Sequence, residues 1–288
     1  MPDPTPDPMP NAIADPLVEN VISPDVAAAP VHIEATPEGV VTVTINRAHR
    51  RNAFDAQTIA ALAEAFETLR GAEGVRIVFL RGSGGSFSAG ADLDWMRMAA
   101  DWTEGDNRDD AMGLATMLKH LSEIPALTVA LVEGSAFGGG AGLVAVCDIA
   151  VAVADARFAF SEVKLGLTPA TISPYVVNAI GPRIAKGLFA TGRVFDAAYA
   201  ETIGLVQEVV ADAAALEAAK TRLADEIMAC APGAVAEVKR LVWDVWARPI
   251  DHHLMEETAR RIAKARVSDE GREGVAAFLG KRKPNWSN

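Results

Sequence analysis

Only two cysteines, Cys147 and Cys230, occur in the 288-residue chain, and they form no CxxC pair. That is too few for a disulfide-stapled scaffold, and both are expected to be free structural thiols in a reducing, cytoplasmic setting. No apolar run approaches the ~20 residues that cross a bilayer, so no membrane association is expected. The start, MPDPTPDPMPNAIADP, has neither the cationic region nor the continuous apolar stretch of a secretory signal. Positive charge is also short. The 27 Lys and Arg face 38 Asp and Glu, a net charge of −11, which leaves no basic surplus to release counterions from a nucleic acid. GxxxxGK[ST], GxSxG and HExxH are all absent, which removes the commonest phosphate-loop, serine-hydrolase and zinc-protease signatures. His252 and His253 fall on a polar helix face and are expected in solvent rather than on a metal.

Hydrophobic residues make up 50% of the chain, enough for a sizeable core. Residues 1–30 hold five acids, no Lys or Arg and eight of the 16 prolines, and are expected to form a disordered tail. The remainder carries a net charge of −6, with basic clusters at Arg47–Arg51 and Lys281–Lys283 that leave room for an anionic small molecule. VHIEATPEGVVTVTI alternates around Pro-Glu-Gly and predicts a β-hairpin from Val31 to Ile45. Asp55 is placed to cap a helix whose apolar positions are Ile59, Leu62, Phe66 and Leu69. Val75–Leu80 and Ala126–Val132 read as buried strands. Helices are predicted near Leu93–Ala100, near Ala111–Leu121 and up to Cys147. The strand IAVAVA follows, and then RFAF, a short strand ending at Ser161-Glu162. The strand–loop–helix rhythm indicates an α/β fold. Past about Thr171 strand signals fade, and the last hundred residues read as helical. The expected division is a tail over 1–30, a core over 31–225 and a helical assembly segment over 226–288.

Two loops share one design, a buried strand running into a glycine-rich turn and then a helix. They are Gly82–Asp92 and Glu133–Gly142, the second containing AFGGGAG. Backbone N–H groups at a helix N-terminus stabilise negative charge, and two converging on one oxygen form an oxyanion hole. The candidate base is Glu162, flanked by the mostly apolar FAFS and VKLGL, which would desolvate it and raise its pKa. Trp95, Met96 and Met98, just past the first loop, are either core or the lining of an apolar acyl pocket. Gly140, Gly142 and Ala145 also match GxGxxA, with Glu162 20 residues beyond Gly142, the spacing of a dinucleotide-binding fingerprint. Against that reading, the preceding strand ends near Val132, too early for the tight turn the motif requires, and the Gly82–Asp92 loop would have no role.

With these residues in place the chain resembles the crotonase (enoyl-CoA hydratase/isomerase) superfamily. SFSAGADLDWM is similar to its first oxyanion and adenine-binding loop, and EGSAFGGGAGLVAVCDIAVA to its second. SEVKLGLTP is similar to the catalytic-glutamate segment, TGRVFDAAYAETIGLVQEVV to a family helix-turn, and EGVAAFLGKRKPNW to the C-terminal ending. The resemblance spans about residues 30–288. It implies a crotonase-like spiral of ββα repeats with a helical trimerisation region, assembled as a homotrimer or dimer of trimers. It also implies an acyl-CoA thioester as substrate partner, with no metal or redox cofactor. The N–H groups of Ala91 and Gly139 would hold the thioester oxygen, and Glu162 would move the proton. CoA and acyl contacts would come from Arg51 and Ala53, from the backbone of Ala89, Gly90, Asp92 and Leu93, and from Phe137, Gly138, Gly142, Ser161 and Lys281.

The family's hydratases commonly carry two glutamates, and the position of the first is taken here by Gly142. With Glu162 alone, the implied reaction is hydration of a 2-enoyl-CoA, in fatty-acid or leucine breakdown. SEVKLGLTPATISPYVV is similar to hydratases of branched, carboxylated acyl-CoAs of the 3-methylglutaconyl-CoA type. Gly142 would then make space for that bulky acyl group. A Δ3–Δ2-enoyl-CoA isomerase is the alternative, a binding-only protein that has lost an acid another, and an NAD-dependent oxidoreductase the distant one. Titration separates the last: the chain should bind CoA thioesters and not NAD. Tight NAD binding abolished by Gly140→Val would overturn the crotonase resemblance.

Overall fold

The computed structural model describes residues 29–287, so the expected tail falls outside the described residues except for its last two. Strands β1 (Val31–Ala35) and β2 (Val40–Ile45) pair antiparallel with Val31 opposite Ile45, the hairpin that the alternation predicts. Beyond β2 the pairing is parallel, through β3 (Ile77–Gly82), β4 (Leu127–Val132), β6 (Ile149–Val153) and β9 (Glu208–Val210). The sheet order is β1-β2-β3-β4-β6-β9. IVFL, TVALV and AVAV are buried without alternation because both sheet faces are covered. A second, smaller sheet joins β5 (Ser135–Phe137), β7 (Arg157–Ala159) and β8 (Val194–Asp196).

The helices are α1 (Ala56–Gly71), α2 (Leu93–Ala99), α3 (Glu104–Ser122) and α4 (Gly139–Val146) in the first half. They continue with α5 (Ser173–Ile180), α6 (Pro182–Thr191), α7 (Ala197–Thr202) and α8 (Ala213–Met228). The chain closes with α9 (Pro232–Val245), α10 (His252–Val267) and α11 (Asp269–Leu279). Asp55 caps α1 through the Thr58 N–H, and Ile59, Leu62, Phe66 and Leu69 are buried on its inner face. The sequence β4-β5-α4 is one ββα unit, a strand in the large sheet, a short strand in the small one, then a helix. β6 and β7 repeat it, closed by a 3-10 turn over Glu162–Leu165. Strand ends of the large sheet thus feed the small sheet, and the glycine loops gather where the two meet.

Four details depart from the sequence expectation. Helix α3 starts seven residues earlier than Ala111, because a capping box between Thr103 and Asp106 holds a polar first turn that apolar spacing does not reveal. Strands persist beyond Thr171, but β8 and β9 are three residues each, too short to show a period. The RFAF strand ends at Ala159, and Glu162 opens the 3-10 turn instead of closing the strand. The boundary at 225 falls inside α8, whose buried residues include both Leu223 and Ile227, so the core runs to Met228.

Past that point the character changes. Helix α9 buries no side chain, α10 only Leu254 and α11 only Ala277. This region is tied to the start of the large sheet. Lys239 Nζ donates to the carbonyls of Ile124 and Ala126 and pairs with Asp148 at 2.6 Å. Arg76, just before β3, donates to the carbonyls of Cys230 and Trp286. Among the described residues no helix is long and apolar enough to cross a membrane. Cys147 and Cys230 are unpaired, and burial together with the neighbouring Asp148 pushes the Cys147 thiol up.

The first glycine loop depends on Asn52, fully buried in left-handed backbone at φ 56°. Its Nδ2 donates to the carbonyls of Ser83 (2.8 Å) and Ser86 (2.6 Å), and its Oδ1 accepts from the Arg47 N–H (2.9 Å). Asn52→Ala strands these groups and should lower unfolding free energy by about 2–4 kcal/mol. Chemical denaturation checks this, and an unchanged midpoint would remove Asn52 from the role.

Candidate active site

Extended backbone points successive N–H groups to opposite sides, and the first loop uses this. Gly90 accepts at its carbonyl from the Phe54 N–H (2.7 Å), and the Asp92 N–H donates to the Phe54 carbonyl (2.7 Å). Ala91, bridged to Phe54 between these two bonds, therefore turns its own N–H away from the Phe54 segment. That N–H has no acceptor among the described residues. In the second loop Gly138 donates to the Ala159 carbonyl (2.9 Å) and precedes α4. Its φ of 50° and ψ of −119° suit glycine alone, and they leave the Gly139 N–H, first in α4, without an acceptor among the described residues.

The two loops are sewn together. Phe87 and Ser88 donate to the carbonyls of Glu133 and Ser135, each at 2.8 Å, and Phe137 donates back to the Ser88 carbonyl at 3.0 Å. Gly90, at φ 89°, lies so close that a Cβ there would stand 2.9 Å from the Phe137 carbonyl oxygen. The residue before each free donor is thus a glycine with positive φ, and these glycines touch the same crossing. A Cβ on Gly139 would stand 3.1 Å from Phe54 Cε2, so the ring of Phe54 supports the second donor from below.

Glu162 comes to the same place from β7. Its Oε1 lies 3.1 Å from where a Cβ of Gly138 would be, one residue from the Gly139 donor. Its Oε2 is buried with no hydrogen-bond partner among the described residues. Burial pushes its carboxyl above the ordinary glutamate value, opposed only in part by its own backbone N–H. A desolvated base beside two unpaired N–H donors is suited to proton transfer next to a carbonyl whose oxygen gains negative charge.

Other candidate residues divide by what the structure does with them. Arg51 is exposed at φ 51°, makes no ion pair among the described residues, and accepts at its carbonyl from the Ala89 N–H (2.9 Å). Its guanidinium therefore stands free beside the first loop. Ala53 is buried and its carbonyl accepts from Arg47. Leu93 is 66% exposed, as is Met98 at 56%, whereas Trp95 packs against the core. Ser161 and Phe137 flank Glu162 and Gly138, and the Ser161 carbonyl accepts from Lys164 in the turn.

Two expectations, those for Lys281 and Gly142, need correction. The Asp92 carboxylate, in the first loop, caps α2 at the N–H groups of Asp94 and Trp95 and pairs with Arg47 at 3.1 Å. Burial alone would raise its pKa, but those N–H bonds and Arg47 hold it lower. Lys281 is not brought into this cluster. The segment after α11 is bound to Arg76 and, through Trp286 Nε1, to the Ala229 carbonyl, at the end of the sheet where β3 begins, opposite the loops. Gly142 opens no space for an acyl group: a Cβ there would stand 2.3 Å from Ile172 Cγ2. Asn52, Phe54 and Ile172 escaped sequence reasoning. Only Asn52, a turn-prone residue beside a basic cluster, carried a signal there.

The sequence matches the family model described as enoyl-CoA hydratase/isomerase over residues 35–288. The chain belongs to this family, the crotonases. Among solved structures it is similar to an enoyl-CoA hydratase from Shewanella pealeana, 38% identical with a TM-score of 0.86, over 89% of this chain and 96% of that one. It is similar to Pseudomonas aeruginosa AtuE as well, at 37% identity and a TM-score of 0.86, over 90% of this chain and 100% of that one. Enoyl-CoA hydratase EchA19 of Mycobacterium tuberculosis is 33% identical over 267 residues, 89% of this chain and 98% of its own length. The α/β architecture with its ββα units is the crotonase fold. In this crotonase, Gly140, Gly142 and Ala145 lie inside α4, behind strand β5, and not at the tight strand-to-helix turn of a dinucleotide site.

Gly138→Ala tests the crossing. The new methyl group meets both the glycine-only backbone, at a cost of about 1–3 kcal/mol, and the Glu162 carboxylate. Turnover of an acyl-CoA should fall at least about tenfold. Steady-state kinetics beside a melting curve check it, and a folded variant with normal turnover counts against this geometry.

Proposed function

We propose that this crotonase is an enoyl-CoA hydratase in which Glu162 is the sole acid–base group. The observation that carries the reading is the buried, unpartnered Oε2 of Glu162 beside a loop pair that offers the free N–H groups of Ala91 and Gly139. In this reading the thioester oxygen accepts from both N–H groups. The Glu162 carboxylate takes a proton from water as the water oxygen bonds to Cβ. The π electrons of the Cα–Cβ bond move toward the thioester oxygen as an enolate. Protonated Glu162 then returns the proton to Cα, so one molecule of water is added and the carboxylate is regenerated. CoA itself comes with the substrate, and the proposal includes no metal or redox cofactor. Arg51 is the proposed partner of a CoA phosphate. A branched, carboxylated acyl group of the 3-methylglutaconyl type is supported by the resemblance of SEVKLGLTPATISPYVV and by nothing in the geometry.

A second reading, Δ3–Δ2-enoyl-CoA isomerisation, is favoured by the space past Gly142, which Ile172 fills with hydrocarbon where a second carboxylate would be. There Glu162 would take a Cα proton and return it to Cγ. We also propose assembly as a trimer or dimer of trimers in the cytoplasm, supported by the exposed Val238, Val242, Trp243 and Phe278 of α9 and α11 and by the two unpaired cysteines.

Glu162→Gln keeps the shape and removes the base, so turnover should fall about 10²–10⁴-fold while acyl-CoA binding is retained. The active form is the carboxylate and its pKa is raised, so kcat/KM of the native enzyme should fall as pH drops through a value above the ordinary ~4.3 of glutamate. Loss of conjugated enoyl absorbance from crotonyl-CoA and 3-methylglutaconyl-CoA, against its appearance from a 3-enoyl-CoA, separates hydratase from isomerase. Near-normal turnover in Glu162→Gln would remove this residue from either mechanism.

A further inference from the structure

Helix α4 carries two glycines one turn apart, and each is packed by a different residue. Gly138, its N-cap, has the Glu162 carboxylate against it, and Gly142, four residues on, has Ile172. Glu162 and Ile172 thus pack against the N-cap and the first turn of the helix that begins with the Gly139 N–H.

The contact at Gly142 has no slack. A Cβ there would stand 2.3 Å from Ile172 Cγ2, 2.9 Å from its Cβ and 3.6 Å from its Cδ1. A rotation about χ1 moves Cγ2 and Cδ1 but leaves the Ile172 Cβ where it is. Nor can the Ile172 main chain move easily, since its carbonyl accepts from the N–H groups of Tyr175 (3.2 Å) and Val176 (3.1 Å) at the start of α5. The side chain is 2% exposed, and α4 and α5 pack directly on each other at this point.

We infer that Ile172 is a positioning and specificity-determining residue that interlocks with Gly142, filling with hydrocarbon the volume into which any side chain at position 142 would project and so confining the site to a single carboxylate. The inference rests on the enoyl-CoA reading for its catalytic consequence, while the interlock itself stands on packing. One consequence is that acid–base chemistry must pass through one group, so the proton removed and the proton delivered share one face of the substrate. Another is that the two positions are coupled: neither can be exchanged alone for the acid-bearing arrangement. Gly142→Glu introduces a carboxylate only if Ile172 is cut back to glycine, which its N-cap position tolerates.

The test is a double-mutant cycle on the full chain with Gly142→Glu, Ile172→Gly and the pair together. Two readouts are taken, the melting temperature and the pH dependence of kcat/KM on crotonyl-CoA. The expected result is that Gly142→Glu lowers the melting temperature and cuts turnover at least tenfold. The double variant should recover at least tenfold over Gly142→Glu, melt higher than it, and show a second ionisation on the pH profile that the native enzyme lacks. Ile172→Val, which retains Cβ and Cγ2, should leave the native profile single. A Gly142→Glu enzyme with native melting and turnover would overturn the interlock, as would a double variant no more stable than the single. If no variant and no native protein turns over any enoyl-CoA, the enzymatic reading fails, and the melting cycle still decides the interlock. Recovered melting without a second ionisation would overturn the specificity role and leave only packing.

Discussion

The close crossing of two backbone segments, with no side chain between them, is the constraint on which the rest of this site depends. Where Ser88 bridges Ala136, hydrogen bonds run both ways between the loops, and Gly90 sits against the Phe137 carbonyl. Everything chemical follows from the closeness. It places the unpaired Ala91 and Gly139 N–H groups on adjoining loops and sets Gly138 against the half-buried Glu162 carboxylate. Asn52, Phe54 and the Arg47–Asp92 pair are best understood as devices that hold the crossing shut from the first-loop side.

The large elements of the fold were legible because their causes are local. Alternation around Pro37-Glu38-Gly39 specifies the β1–β2 hairpin, Asp55 specifies where α1 starts, and doubly buried strands leave continuous apolar runs. The two glycine loops and Glu162 were legible for a similar reason: glycine density and a carboxylate among apolar flanks are visible one residue at a time. What stayed hidden is what tertiary packing decides. Ile172 lies 30 positions from Gly142, and although the run SEVKLGLTPATISPYVV stands out in sequence, only the α4–α5 contact gives this residue its meaning. Lys281 sits in a basic cluster that reads as an anion contact, yet the segment carrying it is clamped at the far end of the sheet by Arg76.

Stability is unevenly shared between the two parts of the chain. The core up to Met228 buries its apolar residues on both faces of the large sheet, whereas α9, α10 and α11 together bury two side chains and attach through polar contacts such as Lys239 with Asp148. Hydrophobic burial is the dominant favourable term in folding, so the part built on the large sheet rests on its own contacts and the C-terminal helices gain most by covering their apolar faces.

In the proposed mechanism both oxyanion donors, at Ala91 and Gly139, are main-chain amides, and this has a consequence for how such a protein changes over generations. A substitution at Ala91 or Gly139 exchanges a side chain and leaves the N–H in place; of the twenty amino acids only proline deletes it. The anion-stabilising half of the chemistry is therefore insulated from most point mutations at its own positions, and is exposed only to those that shift the backbone. The acid–base half has no such protection, because a carboxylate is lost in one codon change. Under the proposed mechanism, a protein built this way can lose or relocate an acid and still bind and polarise a thioester while new chemistry is tried.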